Sequence, residues 1–356
     1  MSPGNVIVYA GAGSSHSWTW LADLFESKGV INVRFLDSTE FIDSLPGRPA
    51  VAIISGGDGF EIGSSLSGQG FVKLEEYISR GGTYVGVCAG AYLPLPSSID
   101  PFSQFNISTT RVENIDCMIS PLEGIPPRVA VKYGRCAIVH PVRGEIDLDQ
   151  DGSVLKAPIY GGPIFKEPDK DSVILRCRDF TPNTEFQFGE RFAKEIVLGH
   201  PAAIRCLHGD GELLLFGPHL EHPSYPEANH LFLDLLRLDR SRAPKVDAKP
   251  PRPDLAIAIA DLKVAIVGLE NRSFIVGRKL WDGSRYMELV HAIEKRTWST
   301  DDRLSQEFVR DLETVRGDIV RVNIGVESEV DQTTQLLVEC ARRCVDNHFR
   351  RLVESR

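Results

Sequence analysis

The sequence predicts an α/β protein whose core is a mostly parallel β-sheet flanked by helices. Two observations lead to this fold class: short apolar runs of strand length are bounded by glycine, and amphipathic stretches with helical spacing separate them. Strands that alternate with helices favour a parallel, doubly wound sheet, because the crossover helices cover its faces. The 356 residues are 42% hydrophobic and 25% charged, an ordinary globular composition that is long enough for two domains.

The alternation of strand and helix is clearest near the amino terminus. The predicted strands are residues 5–13, 32–37, 49–59 and 83–93. The predicted helices are residues 17–29 and 70–82. Both helices have apolar residues at helical spacing and end on glycine, which commonly follows the last helical turn. We therefore expect a flavodoxin-like arrangement.

The rest of the chain divides into three parts of different character. Residues 105–217 hold short β-like pieces, which we interpret either as strands added to the sheet edge or as a small β excursion. A helix at 229–241 closes this first domain, which we place at residues 1–240. Residues 241–254 form a proline-rich linker, and residues 255–356 form a mainly helical region.

The carboxy-terminal region carries no motif that assigns it a role. Cys340 and Cys344 lie four residues apart on a predicted helix and so share a face. They could form a redox pair, but two small apolar core residues are the preferred interpretation. We interpret the region as a helical packing or dimerisation module and expect homo-oligomerisation through it.

Composition excludes several classes of partner. The net charge of −9 argues against a broad nucleic-acid or anionic-membrane surface, and no apolar run is long enough to span a bilayer. The start of the chain lacks the features of a secretory signal, and the seven scattered cysteines are expected to be reduced thiols, so we predict a cytoplasmic protein. We expect no cofactor and no metal, because there is no P-loop and His200 and His208 lack ligand spacing. The stretch "GAGSSHS" (11–17) could hold an anion but is better explained as a strand-end turn.

The stretch "GVCAG" places Cys88 between two glycines at the end of a predicted strand. A nucleophile on a tight strand-to-helix turn needs small neighbours, and Gly86 and Gly90 stand where that geometry requires them. The turn also aims the backbone N–H of Ala89 at the reacting centre, as half of an oxyanion hole. The N-terminus of the following helix is expected to lower the pKa of the thiol. Taken alone, the pattern favours a buried packing cysteine, and the partner residues decide between the two interpretations.

A thiol nucleophile needs a base and a group that orients the base, and the stretch "GPHLEHP" offers both. His219 and Glu221 follow a predicted strand, at the sheet edge where open α/β folds keep their sites. On an extended chain, the two-residue spacing puts both side chains on the same side. His222 would then point elsewhere, and we interpret it as a solvated loop histidine.

Several motifs in a fixed order resemble the class I glutamine amidotransferase fold and, more narrowly, the amidotransferase-like amino-terminal domain of eukaryotic-type biotin–protein ligases and its stand-alone relatives. They span about residues 5–238 and are "VYAGAGSS", "IISGGDG", "GGTYVGVCAGAYL", "PIYGGPIF" and "LLFGPHLEHP". The resemblance implies Cys88 as nucleophile, His219 as base and Glu221 as orienting carboxylate.

The same resemblance assigns roles to two glycine loops. Gly56 and Gly57 would supply the second oxyanion N–H, although a plain strand-to-loop turn would also explain them. Gly161 and Gly162 would lie in a loop that faces the pocket, and their sequence is equally a simple turn signal.

The sequence departs from the family pattern at one informative position. Glutaminases usually carry a glutamine at the elbow position that Tyr92 occupies here, so glutamine as the substrate is in doubt. The chain also lacks the Gly-Arg-rich adenylate loop of a biotin ligase, so we expect no biotin ligase activity.

Three functional hypotheses follow from these residues. The leading one is a cysteine-dependent amidohydrolase or amidotransferase-like protein that acts on a small-molecule amide or ester. The second is a non-catalytic scaffold that binds a metabolite or partner. The third is a redox or carbonyl-stress sensor whose elbow cysteine forms a reversible sulfenate.

Overall fold

The structure is a computed structural model. It describes residues 5–116, 130–133, 136–168, 172–187, 189–238, 252–269, 272–297, 302–323 and 330–355. Most of the predicted linker therefore lies outside the described residues. Its last two residues already belong to a helix that begins at Pro253.

The amino-terminal part alternates strand and helix as predicted. Its strands are β1 (Val6–Tyr9), β2 (Val33–Leu36), β3 (Val51–Ile54) and β4 (Thr83–Val87). Its helices are α1 (Trp18–Ser27), α2 (Ser38–Ser44), α3 (Gly59–Ser79) and α4 (Ala89–Tyr92). The third helix begins at Gly59, where Asp58 caps it through two backbone N–H groups. Its backbone leaves the helical conformation at Ser67, so the predicted helix corresponds to the part after this break.

The middle of the chain is rich in strands. These are β5 (Ile115–Asp116), β6 (Ala130–Tyr133), β7 (Cys136–Val139), β8 (Val142–Gln150), β9 (Ser153–Ile159), β10 (Ser172–Phe186), β11 (Pro201–His208) and β12 (Gly211–Phe216). Two helices lie among and after them, α5 (Glu190–Val197) and α6 (Pro226–Leu236).

The carboxy-terminal region is mainly helical, with one β-hairpin. Its helices are α7 (Pro253–Val267), α8 (Gly283–Glu294), α9 (Asp302–Asn323) and α10 (Val330–Glu354). The hairpin is formed by β13 (Ser273–Val276) and β14 (Lys279–Asp282).

One large sheet organises residues 6–216, and the predicted division into domains stays a prediction. Nine of the described strands form it, in the order β2-β1-β3-β4-β12-β11-β10-β8-β9. The first five are parallel to one another, which confirms the predicted parallel core, and β11, β10, β8 and β9 continue it with antiparallel pairings. Strands β5, β6 and β7 form a separate three-stranded sheet. The middle region therefore does both things that the sequence suggested: β8 to β12 add strands to the sheet, and β5 to β7 form a small separate β structure.

Alternating residues of the central strands bury opposite faces of the sheet. In β1, for example, Val6 and Val8 belong to one apolar cluster, whereas Ile7 and Tyr9 belong to the other. The first cluster continues without interruption into apolar side chains of α7, α8, α9 and α10. Cys340 and Cys344 are fully buried in this continuation, as expected for core residues.

Helix α10 packs directly against β2 at the sheet edge. The ring of Phe349 lies 5.2 Å from that of Phe35, and Asp346 accepts hydrogen bonds from the side chain of Arg34 and the backbone N–H of Phe35. Helix α7, in contrast, exposes Ile257 and Val264 to solvent. Homo-oligomerisation through the carboxy-terminal region stays a prediction. No helix within the described ranges is long and apolar enough to cross a membrane.

A buried arginine, Arg296, makes polar contacts between the carboxy-terminal region and the amino-terminal part of the chain. Arg296, which is fully buried at the end of α8, donates hydrogen bonds of 2.8 Å to both Asp23 and Glu26 on α1. Glu26 also pairs with the buried ring of His348 on α10, at 2.9 Å. Three elements that are distant in the chain are joined by this cluster.

Replacing Arg296 with methionine should destabilise the protein. The two carboxylates of α1 would lose a buried partner, and their partial exposure lets water compensate only in part, so we expect the free energy of unfolding to fall by about 1–3 kcal/mol. Urea denaturation measures this change. The matched control is Arg303→Met, which removes an exposed arginine from an i,i+4 pair with Glu307 and should cost about 0.5 kcal/mol or less. Equal stabilities of the two variants would contradict the prediction.

Candidate active site

Cys88 stands on a sharp turn between β4 and α4. Its backbone angles, φ 52° and ψ −107°, lie outside the regions that non-glycine residues normally adopt. The turn is held in place because the backbone N–H of Cys88 donates to the carbonyl of Phe216 on the neighbouring strand β12, at 2.8 Å. Such a strained strand-to-helix turn is the geometry that exposes a nucleophile at a sheet edge.

The glycines on either side of Cys88 are required by close backbone approach. A Cβ at position 86 would meet the carbonyl oxygen of Gly90 at 2.6 Å, and one at position 90 would meet that of Ile54 at 2.0 Å. A side chain at either position would therefore force the turn apart. The predicted need for small neighbours is confirmed.

His219 and Glu221 meet as the sequence predicts, although not on an extended chain. The imidazole Nδ1 lies 2.7 Å from Glu221 Oε1, and both side chains are buried. Residues 220 and 221 form a turn, so the geometric reason given for the pairing was wrong. The backbone N–H of His219 donates to the carbonyl of Pro158 at 2.8 Å, which positions the ring.

The pKa values of Cys88 and His219 shift in opposite directions. Burial raises the pKa of the Cys88 thiol, but hydrogen bonding to His219 and the positive charges of His219 and Lys279 outweigh burial and lower it overall. Burial lowers the pKa of His219, whereas Glu221 and Cys88 raise it, and the net direction is upward. Both shifts favour transfer of the Cys88 thiol proton to the His219 imidazole.

The expected source of thiol activation was wrong. Helix α4 has only four residues, too few for a substantial macrodipole. The charges that lower the pKa come from side chains, and one of them, Lys279, belongs to the carboxy-terminal hairpin.

Two serines that the sequence analysis did not single out support the buried carboxylate. Ser55 Oγ donates to Glu221 Oε1 at 3.2 Å, and Ser17 Oγ lies 2.9 Å from Ser55 Oγ. Ser55 directly follows β3 and Ser17 lies in the turn after β1, and a polar residue at the end of a buried strand is the signal that could have pointed to them. The stretch 11–17 is therefore a strand-end turn that also braces the site.

The two candidate oxyanion donors after β3 behave differently. The N–H of Gly56 donates to Ser17 Oγ at 3.1 Å and is thus already used. The antiparallel bridge between Ser14 and Gly57 uses the N–H groups of Ser15 and Asp58, so that of Gly57 is not part of it. Gly57 and Cys88 border the same cavity.

Tyr92 and the loop that contains Gly161 and Gly162 hold each other. The Tyr92 hydroxyl donates to the Gly161 carbonyl at 3.2 Å and accepts from Asn114 Nδ2 at 2.8 Å. Gly162 packs against the backbone of Gly217, where a Cβ would lie 2.0 Å from the carbonyl oxygen. None of the three borders the cavity at Cys88, where Tyr160 lines the wall instead. Tyr92 and Gly161 instead border a smaller cavity that shares His140 and Lys279 with the one at Cys88, and a substrate-contacting role for these residues stays a prediction.

His222 is not the solvated loop residue that the sequence suggested. Its ring packs 4.5 Å from that of Trp20 and 5.3 Å from that of Tyr225. Burial and the nearby His219 lower its pKa to about 4, so the ring is neutral at physiological pH. Trp20 also contacts the His219 ring edge to face, at 5.4 Å, and so lies against both imidazoles.

The largest surprise is that the carboxy-terminal region forms part of the site. A cavity of about 330 Å³ opens at Cys88 and His219, and one wall consists of the β13–β14 hairpin and the start of α8. The wall residues from this region are Arg278, Lys279, Leu280, Asp282, Ser284, Arg285 and Glu288. Interpreting the region as only a packing or dimerisation module was therefore incomplete.

Replacing His219 with glutamine should raise the pKa of Cys88. In the native protein the thiolate is held by the imidazolium, so alkylation by iodoacetamide should rise with a midpoint below the usual pKa of about 8.5. Without that partner, burial dominates, as it does at Cys177, whose pKa burial raises to about 12. We expect the midpoint of the H219Q variant to move up by at least about one pH unit.

Rates of Cys88 alkylation between acid and alkaline pH, followed by peptide mass spectrometry, measure both midpoints. His230→Gln, which changes an exposed histidine of α6, is the control and should leave the midpoint unchanged. An unchanged midpoint in H219Q would contradict the assignment of the charge pair.

Comparison with known proteins supports the resemblance drawn from the motifs. Residues 4–98 match the family model described as "Biotin-protein ligase, N terminal". No curated protein matches the chain.

Similar solved structures include a glutamine amidotransferase (16% identity, TM-score 0.43, covering 66% of this chain and all of that one). A thua-like protein from Bacteroides uniformis has 12% identity and a TM-score of 0.39 and covers 66% of this chain and 90% of its own. A β-galactosidase from Bacillus circulans sp. alkalophilus has 12% identity and a TM-score of 0.37 and covers 68% of this chain and 32% of its own. The family match thus confirms the predicted relationship to the amino-terminal domain of biotin–protein ligases for residues 4–98.

Proposed function

We propose that this protein is a cysteine-dependent amidohydrolase or amidotransferase-like enzyme, with Cys88 as nucleophile, His219 as general base and acid, and Glu221 as the group that orients His219. One observation carries the proposal. Cys88, on its strained elbow, and His219, which is paired with the buried Glu221, line the same cavity, and the pKa of the Cys88 thiol is lowered.

The proposed reaction begins with attack of the Cys88 thiolate on an amide or ester carbonyl carbon. The new C–S bond leaves a negative charge on the carbonyl oxygen, which the backbone N–H groups of Ala89 and Gly57 stabilise. Collapse of this intermediate breaks the bond to the leaving nitrogen or oxygen, and the His219 imidazolium gives the leaving group its proton.

The second half of the reaction releases the acyl group. Water, or an amine, gives a proton to the now neutral His219 and attacks the thioester carbonyl. The C–S bond then breaks, and the Cys88 thiolate and the His219 imidazolium are restored. Glu221 keeps the Nδ1 side of the ring engaged throughout, so the other nitrogen serves the reacting groups.

The contacts of Tyr92 give no reason to choose glutamine as the substrate. The Tyr92 side chain, at the position where glutaminases carry glutamine, is engaged with Gly161 and Asn114 rather than with the cavity. The proposed activity therefore concerns a small amide or ester whose chemistry the cavity walls determine.

An acyl-enzyme at Cys88 is the expected outcome when the protein is mixed with an activated ester such as p-nitrophenyl acetate. Intact-protein and peptide mass spectrometry should find the acetyl group on Cys88 at neutral pH, and the Cys88→Ala variant should lose this adduct. Cys206→Ala, which removes another buried thiol, should retain it. The acyl group should persist longer in the Glu221→Gln variant, because deacylation needs an oriented base.

Two other outcomes would identify the alternatives. A reversible sulfenate on Cys88 after dilute peroxide, without any acyl adduct, would favour a redox sensor. Absence of both adducts would favour a non-catalytic scaffold and overturn the proposal.

A further inference from the structure

We propose that the cavity at Cys88 selects a substrate that carries an anionic group, such as a carboxylate, and that Lys279 and Arg285 of the carboxy-terminal region bind this group. The inference rests on the proposed function, because it concerns the substrate of the same thiol. It goes beyond that function in naming the chemical class of the substrate and the residues that recognise it.

Four cationic side chains line the cavity. Arg278 and Lys279 come from the hairpin, Arg285 comes from the first turn of α8, and Arg143 comes from β8. Within the part of the chain that the structure describes, neither Lys279 nor Arg285 forms an ion pair with a carboxylate. The pKa of Lys279 is lowered by burial and by Arg285 and Arg143, although Cys88 and Asp58 oppose this. Mutually repelling cations that are partly removed from water create a site with a strong preference for an anion.

The acidic residues of the cavity are fewer than its cations, although Asp282 attracts Arg285 and Asp58 attracts Lys279. Asp282 Oδ1 already accepts hydrogen bonds from the backbone N–H groups of Ser284 and Arg285, as the N-cap of α8. Glu288 is exposed to solvent. Among the side chains that line the cavity, four are cationic and two are carboxylates, and Glu221 lies behind His219.

The cations are held in place by contacts of the hairpin with the first domain. The backbone N–H of Arg278 donates to Asp58 Oδ2 at 2.8 Å, and its guanidinium lies 3.8 Å from the centre of the Phe60 ring. The N–H of Gly277 donates to Asp331 on α10. These contacts fix the backbone just before Lys279, whose side chain lines the cavity. A cation on a fixed backbone favours binding of a ligand without prior rearrangement.

A buried polar atom points to the same conclusion. His140, which lines the cavity, is only 7% exposed, and its Nδ1 has no hydrogen-bond partner among the described residues. Burial, Lys279 and Arg143 lower its pKa to about 3, so the ring is neutral and can offer one donor. A buried polar atom without a partner normally indicates a missing ligand or water. An anionic oxygen beside Lys279 would satisfy it.

The size of the cavity matches a small-molecule ligand. Its volume of about 330 Å³ lies at the lower end of the range for ligand pockets, about 300–1,000 Å³. The cavity thus suits a short amide or ester with one or two charged oxygens rather than a polymer.

Alkylation with two reagents that differ only in charge tests the inference. Iodoacetate and iodoacetamide attack the same Cys88 thiolate, so the ratio of their rates does not depend on the fraction of thiol that is ionised. Relative to 2-mercaptoethanol, the native protein should favour iodoacetate by a factor on the order of 10 or more. Lys279→Met and Arg285→Met should each lower this ratio severalfold, whereas Lys279→Arg, which keeps the charge, should preserve it.

The matched control is Lys263→Met, which removes a lysine that pairs with Glu294 on the outside of the same region. It should leave the ratio unchanged, and circular dichroism of each variant excludes loss of the fold. A native ratio equal to that of 2-mercaptoethanol, or one unaffected by the Lys279 and Arg285 substitutions, would overturn the inference. Rapid alkylation by iodoacetamide with no preference for iodoacetate would overturn only the anion selectivity, whereas Cys88 that reacts with neither reagent would contradict the proposed function itself.

Discussion

The parallel pairing of β4 with β12 is the contact on which the site depends. Val87 lies opposite Phe216 in the register, and Cys88 donates its backbone N–H to the Phe216 carbonyl. Both strands end at the same edge of the sheet, so the residues that follow them, Cys88 and His219, emerge side by side. A shift of this register would separate the thiol from the imidazole, whatever the rest of the chain did.

The charged side chains buried around that sheet edge are the second feature that determines the chemistry of the site. Cys88 and Cys177 are both buried, yet their pKa values shift in opposite directions, because only Cys88 has cationic neighbours. The cationic side chains that make this difference are Lys279 on β14 and His219 in the loop after β12. The pKa of Cys88 is therefore set by side chains from several strands and loops and not by the turn that carries the cysteine.

The carboxy-terminal region connects stability with the site. Its helices share an apolar cluster with one face of the sheet, and Arg296 joins α8 to α1 through two carboxylates. The same docking holds the hairpin over Cys88, where Arg278 is anchored to Asp58. Loss of the packing would therefore also open one wall of the cavity, which couples the two regions in function as well as in folding.

The sequence by itself determined the alternation of strands and helices, the need for glycine on both sides of Cys88 and the pairing of His219 with Glu221. Apolar periodicity encodes the alternation directly, whereas the His219–Glu221 pair forms across a turn and Gly90 is required by its contact with Ile54 on β3. Only the tertiary structure decided that Lys279 lowers the pKa of Cys88, that Ser55 supports Glu221 and that Tyr92 braces a loop. Each of these depends on contacts across the fold, such as that between Asp58 and Arg278, 220 residues apart, and no local pattern specifies which side chains such packing brings together.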